Sequence, residues 1–569
     1  MEQSLSAPTL DFCGCTGRDL TNSVQDVLQG SPLQSPSVGH DTIDNKRDGR
    51  RPALHAIIGA AIGLLSMLVV LVLYLQTLAP TVLYYDYPAM RDSTALQVKA
   101  YILGIPDVTG YPTYTMLTHL FIYLPFGDPA YRVNLASAIY AAGAVFLVYF
   151  ICLKLTCQIA PSAVGALLIG TSETFWSQAV IAEVYTLNVL FIAAIILVLL
   201  VWQDKRKDRY LLLAAFLAGL SLTHHITSGL LLPAGLLFVL LVDRKRLTDR
   251  RLVLKGVGLF LLGLLPYMYL PVRASMGFTR WTISVDHTLV RYDPSTFKGF
   301  LDLVTGGDFK GAMFVFGPAE LPARGVYYLG YLLQQFHPLF LAVALLGVLH
   351  LLIKDRAAIL LLGFLYVGWL LFALEYDISD IYYYFIPTYL ILAVVAAAGF
   401  ASLLSTVRTL VANLPVQART GAVTLALVTV VLTPFLGVRE TYAEVDRSED
   451  YKGREALETV ASRVEPNATL IHHRSPLWYM SLVEGRRRDI KLFATFDLSL
   501  SDHEIKAIRA AAKMGPTYIL YPSAANRCAM KISGLDLVSI KTEMLYQVVS
   551  REEPSGSGKQ SQGCWDALE

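Results

Sequence analysis

Asp86, Arg91, Asp92, Lys99 and Asp107 follow directly on a long hydrophobic run, and the segment closes on Thr109-Gly110-Tyr111-Pro112. Carboxylates at a bilayer surface are costly unless paired or used. Asp86 and Asp92 are therefore candidates for a general base that takes the proton of an attacking hydroxyl, or for a metal ligand. An ion pair between Arg91 and Asp92 is the plainer alternative. An anionic group at that surface would need fixed cations or strong donors nearby, and Arg132, His224, His225, Arg273 and Lys298 map to the same face or just beneath it. Arginine suits that task best, because its planar fork holds two phosphate oxygens at once. His224-His225 interrupt an apolar stretch, where ionisable side chains default to a functional reading, with a simple polar turn as the other explanation. Glu183 heads a further apolar run and either stabilises a helix start or contacts acceptor or metal.

The elements that must position these residues are membrane helices. Of 569 residues, 54% are hydrophobic and only 16% charged, and the mean hydropathy is +0.49, which is the composition of a polytopic membrane protein. A formal net charge of +2 gives no reason to expect nucleic acid. Six cysteines without zinc-like spacing exclude a disulfide scaffold and a thiolate metal site. Residues 1–52 read as a disordered cytoplasmic tail, and residues 53–79 have the roughly 20 apolar residues that a span needs, with Lys46, Arg47, Arg50 and Arg51 before them.

Further apolar runs lie near 132–155, 159–178, 184–203, 210–224, 226–242, 252–271, 333–353, 357–374, 381–404 and 420–437, for about eleven spans within a membrane domain of residues 53–437. With that count, the basic turns at 204–209, 243–251 and 354–356, with Arg408 and Arg419, fall on one face. The positive-inside rule makes that face cytoplasmic. The first loop (80–131), a long loop (272–332), the acidic turn at 375–380 and residues 438–569 then lie outside. The run 113–126 is too short to span and reads as an interfacial amphipathic helix. The acidic turn could take a divalent cation, but its spacing resembles no dedicated cage, so no metal is assigned.

From residue 438 the charges return and helical and strand-like runs alternate, predicting an α/β domain with a largely parallel sheet and a flexible tail. Its strands are read at "ATLIHH", "IKLFATF" and "PTYILYP", and its helices at "YKGREALETVASRV" and "DHEIKAIRAAAKM". No Gly-rich phosphate fingerprint follows any strand. Cys528 and Cys564 would share an oxidising side and could pair there.

The stretch from "LAPTVLYYDYPAMRDSTALQVKAYILGIPDVTGYPTY" onward, with "FWSQAVIAEVYTLN", "GLSLTHHITSGLLLP" and "LLPYMYLPVRA", resembles a family of multi-pass membrane proteins that is widespread in bacteria and includes the animal transmembrane protein O-mannosyltransferase. The resemblance implies the GT-C architecture: a helical bundle whose first outer loop carries a catalytic carboxylate. The donor would be a polyprenyl-phosphate sugar, with mannose the sugar suggested by the animal member. The acceptor would be a protein or an envelope glycan. The family's Asp-Ser matches Asp92-Ser93, and its Thr-Gly-Tyr-Pro matches Thr109 to Pro112, which brings Tyr111 into the substrate region. Ala95 replaces the motif's second acid, and Asp107-Val108 replace its usual His-Pro. Divergence from the animal member points to a bacterial plasma membrane.

Two other classes remain open at this stage. A protein that binds lipid-linked sugar without catalysis, or serves envelope assembly, would tolerate Ala95 and Asp107. A transporter would carry repeated halves and polar residues at mid-depth, whereas here they gather at one surface.

Overall fold

The computed structural model describes residues 50–84, 92–106, 108–277, 292–473, 476–495, 500–541 and 543–551. Most of the N-terminal tail, Asp86, Arg91, Asp107 and Cys564 lie outside the described residues.

The first helix, α1 (Arg50–Thr77), is strongly apolar from Ala56 onward and leaves Leu64, Leu68 and Leu75 exposed, as a lipid-facing span does. After it come α2 (Ser93–Ile102), α3 (Pro112–His119) and α4 (Pro129–Thr156). Eight described helices are long and apolar enough to cross a membrane, or nine if Leu321–Gln335 and Pro338–Lys354, bent by 103° at their junction, are one span. The expected eleven is corrected by two short helices: Ile159–Gly170 has 12 residues and Asp208–Leu222 has 15. At 1.5 Å per residue neither alone reaches the ~30 Å of a hydrocarbon core.

Pro129–Thr156, Tyr185–Lys205 and Ile381–Leu410 are the most enclosed spans and form the centre of the bundle. Glycines set two of the closest helix crossings. A Cβ at Gly219 would run into the Phe260 carbonyl while Gly263 meets the backbone at Phe216, and Gly347 and Gly399 interlock in the same way. Small residues allow this approach in membrane helices.

The basic turns meet at one end of the bundle, as their shared face predicts. Lys154 pairs with Asp204 at 2.6 Å and Arg246 with Asp208 at 2.9 Å. Gln203 donates to Asp355 at 2.8 Å. In the run 113–126, α3 is followed by a short 3-10 turn, Leu120–Tyr123. Leu117, Leu120, Tyr123 and Phe126 are exposed while Tyr114, Thr115 and Thr118 are buried, which is the two-sided pattern of an interfacial helix.

The C-terminal domain is a five-stranded sheet in the order β2-β1-β3-β5-β4. Its strands are β1 (Thr469–His473), β2 (Lys491–Thr495), β3 (Thr517–Leu520), β4 (Leu535–Lys541) and β5 (Leu545–Ser550). β1 pairs in parallel with β2 and β3, with Ile471 opposite Phe493 and Ile519. The largely parallel expectation holds for these three strands only, because β4 and β5 form an antiparallel hairpin that joins the sheet through β3. One face packs Ile471, Phe493, Ile508, Ile519 and Val548 together. The other packs Leu457, Leu470, Leu477 and Tyr518 against Val82, Tyr84, Val98 and Ala130, so this domain shares a core with the first outer loop and α2.

Candidate active site

Asp92 is the residue from which α2 starts. Its carbonyl accepts from the Leu96 amide at 2.7 Å, while its carboxylate makes no capping bond to the helix. The helix is fastened along its length. The Thr94 hydroxyl donates to the Leu83 carbonyl at 2.9 Å, and the Gln97 amide to Asn134 Oδ1 at 2.8 Å. At its far end Arg273 donates to the carbonyls of Ile102 and Leu103, at 2.8 and 2.7 Å, satisfying acceptors that a helix end leaves open. Lys99 is buried and lies about two turns beyond Asp92 on the same helix face.

Glu183 joins Asp92 from another part of the chain. It occupies the break between Glu173–Ala179 and the span Tyr185–Lys205, is 4% exposed, and accepts from the Ser93 hydroxyl at 3.3 Å. Burial pushes its carboxyl well above the usual carboxylate range, and the negative charges of Asp92 and then Asp380 push the same way.

The Thr-Gly-Tyr-Pro stretch is a turn in which Gly110 and Tyr111 have φ of 87° and 38°, in the left-handed region, before Pro112 opens α3. Glycine takes that conformation freely and tyrosine does not, so the Tyr111 position is held by its surroundings. Thr113 bonds Thr223 hydroxyl to hydroxyl at 2.5 Å, which sets this turn against the histidine pair. The Tyr111 ring lies 6.4 Å from His224 and 6.2 Å from His225.

His224 is fully buried, donates from Nε2 to the Val184 carbonyl at 2.9 Å and stacks on Tyr114. His225 Nδ1 meets the Thr227 hydroxyl at 2.7 Å. Burial holds both imidazoles well below the usual histidine range, so both are neutral at physiological pH. Around His225 stand Tyr185 and Tyr384, at 6.0 and 5.7 Å between ring centres, with Tyr383 5.2 Å from Tyr185.

The structure thus brings Asp92, Tyr111, Glu183, His224 and His225 to one end of the bundle, opposite the basic turns. It adds Asp380, which precedes the tyrosine-rich 3-10 turn Ile381–Phe385 and acts on Glu183 and on Tyr384. Sequence reasoning noticed this acidic turn without connecting it to Asp92; the run of tyrosines immediately after it was the available signal. The arginines expected at the phosphate have other work. The Arg132 guanidinium donates to the carbonyls of Ile122, Phe126 and Gly127 at 2.6–2.8 Å, and Arg273 closes the end of α2. Lys298 is exposed on the helix Phe297–Val304. Among the described residues, no group of three or more His, Cys, Asp or Glu side chains could hold a metal ion.

Residues 92–248 match the family described as the Protein O-mannosyl-transferase TMEM260 N-terminal domain. The chain is 33% identical over 217 residues to Protein O-mannosyl-transferase TMEM260 of Mus musculus, a stretch that is 37% of this chain and 30% of the mouse protein. It is 22% identical over 292 residues to the protein of the same name from Dictyostelium discoideum, covering 47% of this chain and 34% of that one. The crystal structure of ArnT from Cupriavidus metallidurans bound to undecaprenyl phosphate superimposes with a TM-score of 0.54 at 12% identity, over 87% of this chain and 99% of ArnT. The chain shares its fold with ArnT and, over residues 92–248, is similar to the TMEM260 N-terminal domain. The family match begins at Asp92 and takes in Tyr111, Glu183 and the histidine pair, so most of the cluster lies within the matched stretch. The chain spans about a third of the length of the curated TMEM260 relatives it matches.

Proposed function

We propose that this integral membrane protein transfers a sugar from a polyprenyl-phosphate donor to a hydroxyl of an extracytoplasmic protein or glycan. The observation that carries this reading is a pair of neighbouring acids: Asp92 at the head of α2, and the buried Glu183 bonded to Ser93, whose carboxyl is held well above the usual range. Environments that drive two neighbouring carboxyls apart in acidity separate a base from a proton donor. In this reading the acceptor oxygen attacks the anomeric carbon, the bond from that carbon to the phosphate oxygen breaks, and Asp92 takes the acceptor proton. Glu183, holding its proton, orients a substrate oxygen by donating to it. Tyr111, Tyr185 and Tyr384 form an apolar wall with polar tips of the kind sugars stack on. The donor class is supported by the GT-C fold shared with an ArnT whose crystal structure holds undecaprenyl phosphate, and mannose by the name of the TMEM260 relatives.

The orientation that goes with this reading places the basic turns and the N-terminus in the cytoplasm and residues 438–569 outside, in a bacterial plasma membrane. Reporter fusions after Arg246 and Asp489 test it, and the reverse pattern would overturn it.

The deciding assay incubates purified protein with labelled polyprenyl-phosphate sugars and measures release of the lipid phosphate with and without acceptor peptides or glycans. Acceptor-dependent release supports the reading. Donor binding without release from any member of the panel would favour a lipid-linked-sugar binding protein.

A further inference from the structure

The C-terminal domain does not merely border the first loop; side chains bond it there, and Arg454 makes most of these contacts. Gly453, in the first turn of the helix Lys452–Arg463, lies so close to the chain at Val82 that a Cβ there would run into the Val82 carbonyl. The next residue is Arg454, one-quarter exposed. Its Nη2 donates to Asp128 Oδ2 at 3.0 Å and to the Thr81 hydroxyl at 3.1 Å, and its Nη1 donates to Glu484. Glu484 and Glu458 are bridged in turn by Arg486, at 3.0 and 2.7 Å. The guanidinium also lies over the Tyr479 ring, whose hydroxyl accepts from the Ala130 amide at 3.2 Å.

Each partner of Arg454 in the membrane domain leads to α2. Asp128 caps α4 by accepting from the Tyr131 amide at 2.8 Å, and it also accepts from Thr81. One turn on, Asn134 donates to the Ala79 carbonyl at 3.0 Å and accepts from Gln97 of α2 at 2.8 Å. Leu83, two residues past Thr81, accepts from Thr94 of α2. Val98 of α2 is buried in one apolar cluster with Leu477 and Tyr479. The floor under α2 is therefore built from residues 79–83, the start of α4 and the C-terminal domain, and Arg454 is the cation that ties the three together.

We propose that Arg454 is a positioning residue for Asp92: by pinning Thr81 and Asp128 to the C-terminal domain it fixes the helix at whose head Asp92 stands. This rests on the glycosyl-transfer reading of the Asp92 site. Exposed ion pairs contribute little singly, but a half-buried guanidinium with three acceptors, in a network of alternating charge, is the arrangement that sets geometry. Misplacing a reacting group by about 1 Å can cost on the order of 100-fold in rate.

The test compares full-length wild type, Arg454→Lys and Arg454→Ala with Thr81→Ala as a milder variant that removes one acceptor of the same clasp. Lipid-phosphate release gives kcat and KM, and hydrogen exchange reports on the amides of residues 93–102. In Arg454→Ala, kcat is expected to fall by about 10- to 100-fold with the donor KM unchanged, and α2 amides to exchange faster. Arg454→Lys and Thr81→Ala should fall between, since a lysine keeps the charge without the fork. If Arg454→Ala fails to fold, those two variants carry the comparison. Wild-type kcat and wild-type exchange in the folded variants would overturn the proposal. Faster α2 exchange in variants of a protein that releases no lipid phosphate from any donor would leave Arg454 supporting α2 and would overturn the transfer reading alone.

Discussion

The Ser93 hydroxyl lies 3.3 Å from Oε1 of Glu183, across 90 positions of sequence. A second carboxyl therefore does stand beside Asp92, although the position where the resembled motif carries one is Ala95. It is supplied by the break between two helices instead of by the next turn of α2, and burial holds its carboxyl well above the usual carboxylate range.

Replacing Asp92 tests the base directly. Asp92→Asn keeps the shape and loses the proton acceptor, so transfer should fall by about 10²- to 10⁴-fold, with expression and donor binding unchanged. Asp86→Asn should cost much less. Initial rates of lipid-phosphate release, with donor binding measured separately, check both; an active Asp92→Asn variant would remove Asp92 from the reaction.

Glu183 makes a prediction about stability and pH. Its carboxyl is held above the usual range by burial first and then by Asp92 and Asp380. A group whose folded pKa is raised binds its proton more tightly when folded, so its stabilising contribution is complete below the unfolded pKa and is lost as pH rises through the folded value. Glu183→Gln does not titrate. The Tm of wild type should accordingly fall relative to that of Glu183→Gln as the buffer is made more alkaline; a difference that stays constant with pH would contradict the assignment.

Arg132 should behave as a structural residue. Arg132→Ala removes donors from the carbonyls of Ile122, Phe126 and Gly127 and should cost about 1–3 kcal/mol of stability, leaving the donor KM as it is. Thermal unfolding in detergent and donor titration separate the outcomes. A raised KM at unchanged Tm would return Arg132 to the phosphate.

The glycine crossings predict a contrast on one helix pair. Gly219→Val drives side-chain atoms into the Phe260 carbonyl and should cost about 1–3 kcal/mol. Gly258→Ala, on the helix Arg250–Gly263, meets nothing within 4 Å and should be neutral or up to about 1 kcal/mol stabilising. Equal Tm values for the two variants would count against the close crossing.

Much of this fold was legible because length and apolarity alone define a membrane helix, and every run read from the sequence has a helical counterpart. Two of these helices stop short of a full span, which a hydropathy count does not register. The hairpin of β4 and β5 escaped notice because its turn carries Glu543 in the left-handed region, with φ of 63°, where glycine or asparagine is the usual signal. Within the site, Glu183 and the histidine pair stood out as ionisable groups in apolar surroundings. Asp380 did not, because its relevance comes only from the approach of a distant turn. Arg132 and Arg273 were assigned by charge, and charge says nothing about which carbonyls a fold will bring within reach of a guanidinium.

The Arg454 to Asp128 bond joins residues 326 positions apart. During synthesis, α4 has entered the membrane long before the side chain that clasps its first turn leaves the ribosome. The helix of Asp92 therefore acquires its last support only after every later span has been threaded and the C-terminal domain has folded. A chain interrupted after His225 would carry Asp92, Tyr111, Glu183 and the histidine pair and still lack the clasp.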